Sequence, residues 1–321
     1  MCCHVNKMTD WITGDPKQRA ILAVAVLVGG VILMPLVMQL PVLGWDWQSC
    51  FEARGSLIPP NGDCYAQYPP WTFWILYPLT ILPWKVGLSL QLGVMLMTVA
   101  VGTALGASRY WEAALLALVT PPVLSLLWLG QIDGLAMWGL TFFPLGMVWA
   151  LTKPNITVWA LFARPRWIAW AAALGIVSVL IWGWWPGRLL VARSMIYQHP
   201  SAMGWGNLGW PVLALGILLF PFSGRDPLRL MASGALLMPF LMPYHFLMLL
   251  PALGKVSGWR RWLLWGLAWT SGAPLAINGI AKYVALSFPL AVWIMASSHP
   301  FEGHRVVAQR VLALFRSHVA S

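Results

Sequence analysis

The chain has 321 residues, 60% of them apolar and only 9% charged, with a net charge of +11 and a mean hydropathy of +0.72. Soluble domains carry about 25% charged residues, so this composition excludes an ordinary water-soluble enzyme and predicts an all-α polytopic membrane protein. Nucleic-acid binding is disfavoured as well. The Lys and Arg residues punctuate apolar runs instead of gathering on one polar face, which suits loops that set orientation and meet anionic headgroups.

The first apolar run, Ala20 to Leu43, is long enough to cross a hydrocarbon core of about 30 Å. Lys7, Lys17 and Arg19 precede it, so residues 1–19 are expected in the cytoplasm. No small-residue cleavage site follows it, so it reads as a retained anchor. Segment 44–68 holds Asp46, Glu52 and Asp63 against the single base Arg54 and is expected outside. Cys50 and Cys64 share that loop, where oxidation is permitted. They form a disulfide candidate that would close a 15-residue loop for about 3 kcal/mol in the chain-entropy model, with unpaired cysteines as the other reading. The stretch 69–84, rich in Pro and Trp, reads as a non-spanning interfacial segment.

Further apolar stretches at 86–106, 112–128, 134–151, 167–186, 207–222, 230–243, 246–258, 262–278 and 283–297 bring the crossings to ten, in a supportable range of about eight to ten. The transmembrane domain would then cover 20–297. The side of Lys153 is its weakest point. The short stretches 230–243 and 246–258 predict a polar pocket at their junction, Pro243-Tyr244-His245. Residues 298–321, with Arg305, Arg310 and Arg316, read as a cytoplasmic amphipathic tail.

No nucleotide-binding, zinc-protease or serine-hydrolase pattern is present, and no metal or cofactor site is expected. Chemistry therefore rests on the few polar residues that an apolar chain retains. Asp46 stands between Trp45 and Trp47 at the outer end of the first run. A partly desolvated carboxylate there suits a general base. Gly130-Gln131-Ile132-Asp133-Gly134 places two polar groups between glycines that would let backbone approach a ligand, with Pro121-Pro122 bending the helix before it. Lys153-Pro154 offers a compact cation. His245 could bond a phosphate or a hydroxyl, and Arg188, Arg193 and His199 form a cationic outer stretch suited to phosphate or to headgroups.

Taken in order, Asp46, Tyr68-Pro69-Pro70, Gly130-Gln131-Ile132-Asp133, Lys153-Pro154 and Pro243-Tyr244-His245 resemble the motif series of the bacterial polyprenyl-phosphate-mannose-dependent mannosyltransferases, glycosyltransferase family 87 of the GT-C class. The resemblance runs from about residue 44 to residue 252. It implies a GT-C-like helical bundle in the plasma membrane that takes a hexose from a polyprenyl-phosphate donor, while the flanking basic residues place both termini in the cytoplasm. The acceptor, a glycan or glycolipid, would be met at the outer face. Asp46 would be the base. Lys153 and His245 would serve the donor phosphate, with Gln131 and Asp133 near the sugar; Tyr68 and Arg188 are further donor-binding candidates. The segment from Gln131 to Lys153 is short for the family, and Asp46 is followed by Trp-Gln where a metal-binding Asp-x-Asp would place a second acid. Two rival readings remain open: a non-catalytic GT-C-like scaffold subunit, and a transporter of lipid-linked sugars with its site at the Tyr244-His245 break.

Overall fold

The computed structural model describes residues 16–37, 39, 43–51, 68–105, 107–141, 146–187, 202–276 and 281–296. Expectations for residues 1–15, for Glu52, Arg54, Asp63 and Cys64, for Arg188, Arg193 and His199, and for the tail 298–321 lie outside these residues.

Among the described residues the fold is helical, and its one β feature is an isolated antiparallel bridge between Met203 and Leu241. The first half runs through α1 (Pro16–Val37), α2 (Pro70–Thr80), α3 (Trp84–Ala104), α4 (Tyr110–Leu118), α5 (Pro121–Leu129), α6 (Asp133–Thr141), α7 (Met147–Ala150), α8 (Pro154–Thr157) and α9 (Pro165–Trp182). The second half adds α10 (Trp205–Leu208), α11 (Trp210–Leu219), α12 (Pro227–Leu237), α13 (Ala252–Lys255), α14 (Trp259–Trp269), α15 (Ala273–Ala276), α16 (Ala281–Ala285) and α17 (Ser287–Met295). Proline sits in the first turn of α2, α5, α8, α9, α11 and α12, where its missing N–H leaves no bond unmade. Asp226 caps α12 by accepting from the N–H groups of Leu228 and Arg229.

Two helices, α3 and α9, are long and apolar enough to cross a membrane, and the α4–α5 pair makes a third if it counts as one bent span. The bend is 53°, at Thr120 ahead of Pro121-Pro122, where the sequence placed it. The two long helices differ in surroundings. Helix α3 packs against α1, α4, α6 and α2 and forms the middle of the molecule. Helix α9 leaves Trp170, Ile176, Leu180 and Ile181 mostly exposed. An apolar helix uncovered on nearly every side suits lipid and not water.

The ten-crossing expectation is not what these residues build. A straight helix would set residues 133 and 153 about 30 Å apart. Instead the Asp133 carboxylate and the Lys153 ammonium are 3.0 Å apart. The stretch 134–151 therefore doubles back, as α6 followed by α7. The physical reason is glycine: a Cβ at Gly139 would overlap the backbone of Gly146 and Ala150, so these strands of backbone touch only because both glycines lack side chains. Lys153 consequently returns to the end of α6 from which the chain set out. The stretch 246–258 is likewise no spanning helix. It is a 3-10 helix, Pro243–Leu249, followed by the single turn of α13, and all its side chains from Phe246 to Leu250 are buried in protein. Stretch 230–243 holds the greater part of α12, which ends at Leu237, and then the bridging Leu241, with Leu228 to Leu236 buried.

Helix α2 is too short to span, as its prolines predicted. Its inner side is woven into the protein: Trp71, Thr72 and Leu76 are buried, and the Trp71 indole donates to the Val148 carbonyl at 3.1 Å. Trp74 faces outward.

Candidate functional site

Asp46 owes its position to two close backbone approaches. The Gly44 N–H donates to the Trp128 carbonyl at 2.9 Å, tying the end of the first segment to the end of α5. Gly130 caps α5 in the left-handed region at φ 69°, and a Cβ there would stand 2.9 Å from the Gly44 Cα and 3.1 Å from the Trp47 Cβ. Glycine at 130 thus brings protein against protein, and not against a ligand as its sequence context suggested. Trp47, fully buried in a π-helical turn over Trp47–Phe51, anchors the other side. Asp46 is left half-buried beside Gln131.

Gln131 is the hub. Its amide N–H donates to the Asp46 carboxylate, and its Oε1 accepts from the Tyr68 hydroxyl at 3.1 Å and from Lys153 Nζ at 2.6 Å. Its backbone carbonyl accepts from Gln91 Nε2 of α3 at 3.0 Å, which locks the turn between α5 and α6. All side-chain capacity of Gln131 except one amide hydrogen is therefore committed.

Lys153 stands at the start of α8, 8% exposed, with its ammonium between the rings of Tyr244 at 4.7 Å and Tyr68 at 4.9 Å. It donates to Gln131 Oε1, to Asp133 Oδ2 at 3.0 Å and to the Tyr68 oxygen at 3.3 Å, so its three hydrogens have three acceptors. Asp133, 1% exposed at the first turn of α6, uses one oxygen on Lys153, and its Oδ1 has no hydrogen-bond partner. Burial is the main cause that pushes the Tyr68 hydroxyl up to about 12, against the opposing pull of the Lys153 charge. It stays protonated at neutral pH, consistent with its donation to Gln131. Phe51 and Phe73 hold the Tyr68 ring edgewise.

His245 closes the far side. Its Nδ1 accepts from the Met242 N–H at 3.0 Å, so that nitrogen carries no proton and Nε2 is the N–H of a neutral ring. Nε2 lies 3.2 Å from the Asn155 amide, which must turn its oxygen toward it for the pair to bond. His245 acts here as a donor and not as a base. At the junction of 230–243 and 246–258, Tyr244 stands over Lys153 with His245 behind it, and both side chains are buried.

The structure joins Asp46, Tyr68, Gln131, Asp133 and Lys153 in one hydrogen-bonded cluster, with His245 at its margin. Arg188 lies outside the described residues. Cys50 is disulfide-bonded, while Cys64 lies outside those residues. Among the described residues no group of three or more His, Cys, Asp or Glu could hold a metal. Comparison with family models, curated proteins and solved structures returns no match for the chain.

Three participants were missed from sequence. Gln91 is a fully buried amide within the apolar face of α3, and its signal was a lone glutamine inside Leu88-Ser89-Leu90-Gln91-Leu92. Asn155 follows Lys153-Pro154 directly. Tyr244 was read as part of a break, although its ring is one wall of the lysine site.

Proposed function

We propose that this chain is an integral-membrane glycosyltransferase of the GT-C kind, multi-pass in the plasma membrane with both termini cytoplasmic. It moves a hexose, mannose in the first instance, from a polyprenyl-phosphate donor to a glycan or glycolipid acceptor at the outer face. The observation that supports this most is the convergence of five motifs, spread over more than a hundred residues, into a cluster with a half-exposed carboxylate at one end and a buried cation at the other.

The chemistry follows from those two ends. Asp46 takes the proton of the acceptor hydroxyl as that oxygen attacks the anomeric carbon. The bond from that carbon to the phosphate oxygen breaks, and the electron pair leaves with the polyprenyl phosphate. A phosphate leaving group needs charge stabilisation more than protonation, and Lys153 is the cation that would supply it. Gln131 fixes the distance between base and cation, because one side chain bonds both. A single displacement inverts the anomeric configuration. A scaffold subunit has no need for a buried ion pair linked through Gln131 to a half-buried carboxylate, since apolar residues would pack there at least as stably. The transporter reading gains nothing from a base at Asp46.

The test is transfer of labelled sugar from polyprenyl-phosphate mannose, and from a small panel of other polyprenyl-phosphate hexoses, by purified protein beside Asp46→Asn. Asparagine still accepts from Gln131, so the cluster persists while the base is removed. A loss of at least about 10²-fold is expected. Activity that survives moves the base elsewhere, and no transfer by either protein favours the scaffold.

A further inference from the structure

Lys153 has no free hydrogen to offer a ligand. Its three donors are taken by Gln131, Tyr68 and Asp133. A phosphate oxygen reaches the ammonium only by displacing one of these acceptors. Tyr68 and Gln131 are neutral and are tied to the rest of the cluster by further bonds. Asp133 is the charged one, and its second oxygen already lacks a partner.

The charge count makes the exchange asymmetric. Lys153 and Asp133 are together neutral, and both are buried. A phosphodiester that pairs with Lys153 adds a negative charge to a site holding one cation. A buried carboxylate that has lost its cation is strongly disfavoured in such a place, whereas its protonated form is not. The phosphodiester itself does not take a proton near neutral pH, so the proton must settle on the protein.

The neighbours leave Asp133 as the acceptor nearest to the Lys153 ammonium. Of the elements packed on α6, the 3-10 helix Pro243–Leu249 presents Tyr244 and His245, and α8 follows Lys153. Tyr68 faces the same ammonium from the start of α2, and Asp46 lies beyond Gln131. Toward this cluster α3 offers uncharged Gln91, and α7 is apolar. The tyrosines are already protonated. Protonating His245 at Nδ1 would break its bond from the Met242 N–H.

We infer that Asp133 is the resident counter-ion of Lys153, which a lipid-linked phosphodiester displaces, and that Asp133 takes up one proton from solvent as the ligand binds. This rests on the proposed donor site at Lys153 and adds to it a role for Asp133: it holds the cation in place while the site is empty and is neutralised when the site fills. Proton and ligand thus enter together.

The experiment is titration calorimetry of the full chain in detergent with a short-chain prenyl phosphomannose or phosphoglucose, in buffers of differing ionisation enthalpy. The variation of the observed enthalpy with buffer should report about one proton taken up per ligand at neutral pH, and Kd should rise with pH, by up to about tenfold per pH unit. In Asp133→Asn the uptake should vanish and the pH dependence flatten. Binding by the wild type with no buffer dependence overturns the inference and leaves the donor site standing. Uptake that persists in Asp133→Asn assigns the proton to another group, Asp46 first, and also overturns it. No binding of either probe overturns the donor site and the inference together. The wild-type measurement stands even if the variant fails to fold.

Discussion

Gln131→Glu isolates the hub of the site, because glutamate keeps the oxygen that accepts from Lys153 and Tyr68 and replaces the amide donor facing Asp46 with a second oxygen. The bond lost is charge-assisted and worth roughly 1.5–3 kcal/mol. Two carboxylates then face each other, and one must take a proton or move away. Gln131→Glu alone should therefore destabilise by about 2–3 kcal/mol. Asp46→Asn alone should lose about 0.5–1.5 kcal/mol, since asparagine still accepts but carries no charge. Together they exchange donor and acceptor: the amide of residue 46 donates to the carboxylate of residue 131, and at least about 1.5 kcal/mol should be recovered relative to the sum. Reversible unfolding in mixed micelles with rising SDS measures all four corners of the cycle. If the double variant is as unstable as the two singles added, within about 0.5 kcal/mol, the residues are not coupled and the hub reading is wrong.

The ion pair gives a second expectation: Lys153→Met strands Asp133 in a buried site and should destabilise by about 3–5 kcal/mol in the same assay, while Lys153→Met with Asp133→Leu recovers most of it. A loss under about 1 kcal/mol in the single variant would contradict the burial of the pair. Gly130→Ala forces a side chain into the left-handed region and against Gly44 and Trp47, so it should destabilise by about 2–4 kcal/mol and displace Asp46, read as lost transfer in whatever protein still folds. Tyr68 gives a pH signature: its folded hydroxyl lies above the unfolded value near 10, so its stabilisation is complete below about pH 10 and is lost as pH rises toward 12, by about 3 kcal/mol. Subtracting the profile of Tyr68→Phe from that of the wild type should show this fall, and parallel profiles would refute it.

The polar residues of the site stood out in the sequence because an apolar chain retains few of them. Asp46, Gln131, Asp133, Lys153 and His245 could be named for that reason, and Tyr68 through the motif it opens. Their joining could not be seen, because it depends on separations of up to 90 residues. Gln91 and Asn155 escaped notice since, unlike Gln131 between its glycines, they stand in no polar motif, and only a bond to a distant backbone or ring gives each its meaning.

Sequence alone determined the helical class, from apolar runs too long and too uncharged for a water-soluble core, and it placed the bend at Pro121-Pro122, because proline acts locally. The tertiary structure decided the path of the chain between those points. Hydropathy measures how apolar a stretch is, and a stretch buried in protein scores like one that faces lipid. So 134–151 and 246–258 read as crossings, whereas contact at Gly139 and Gly146 turns the first back on itself and packing encloses the second. That return sets Lys153 against Asp133. The ion pair, and with it the site, exists because two glycines let backbone meet backbone, which no property of single residues in sequence order reveals.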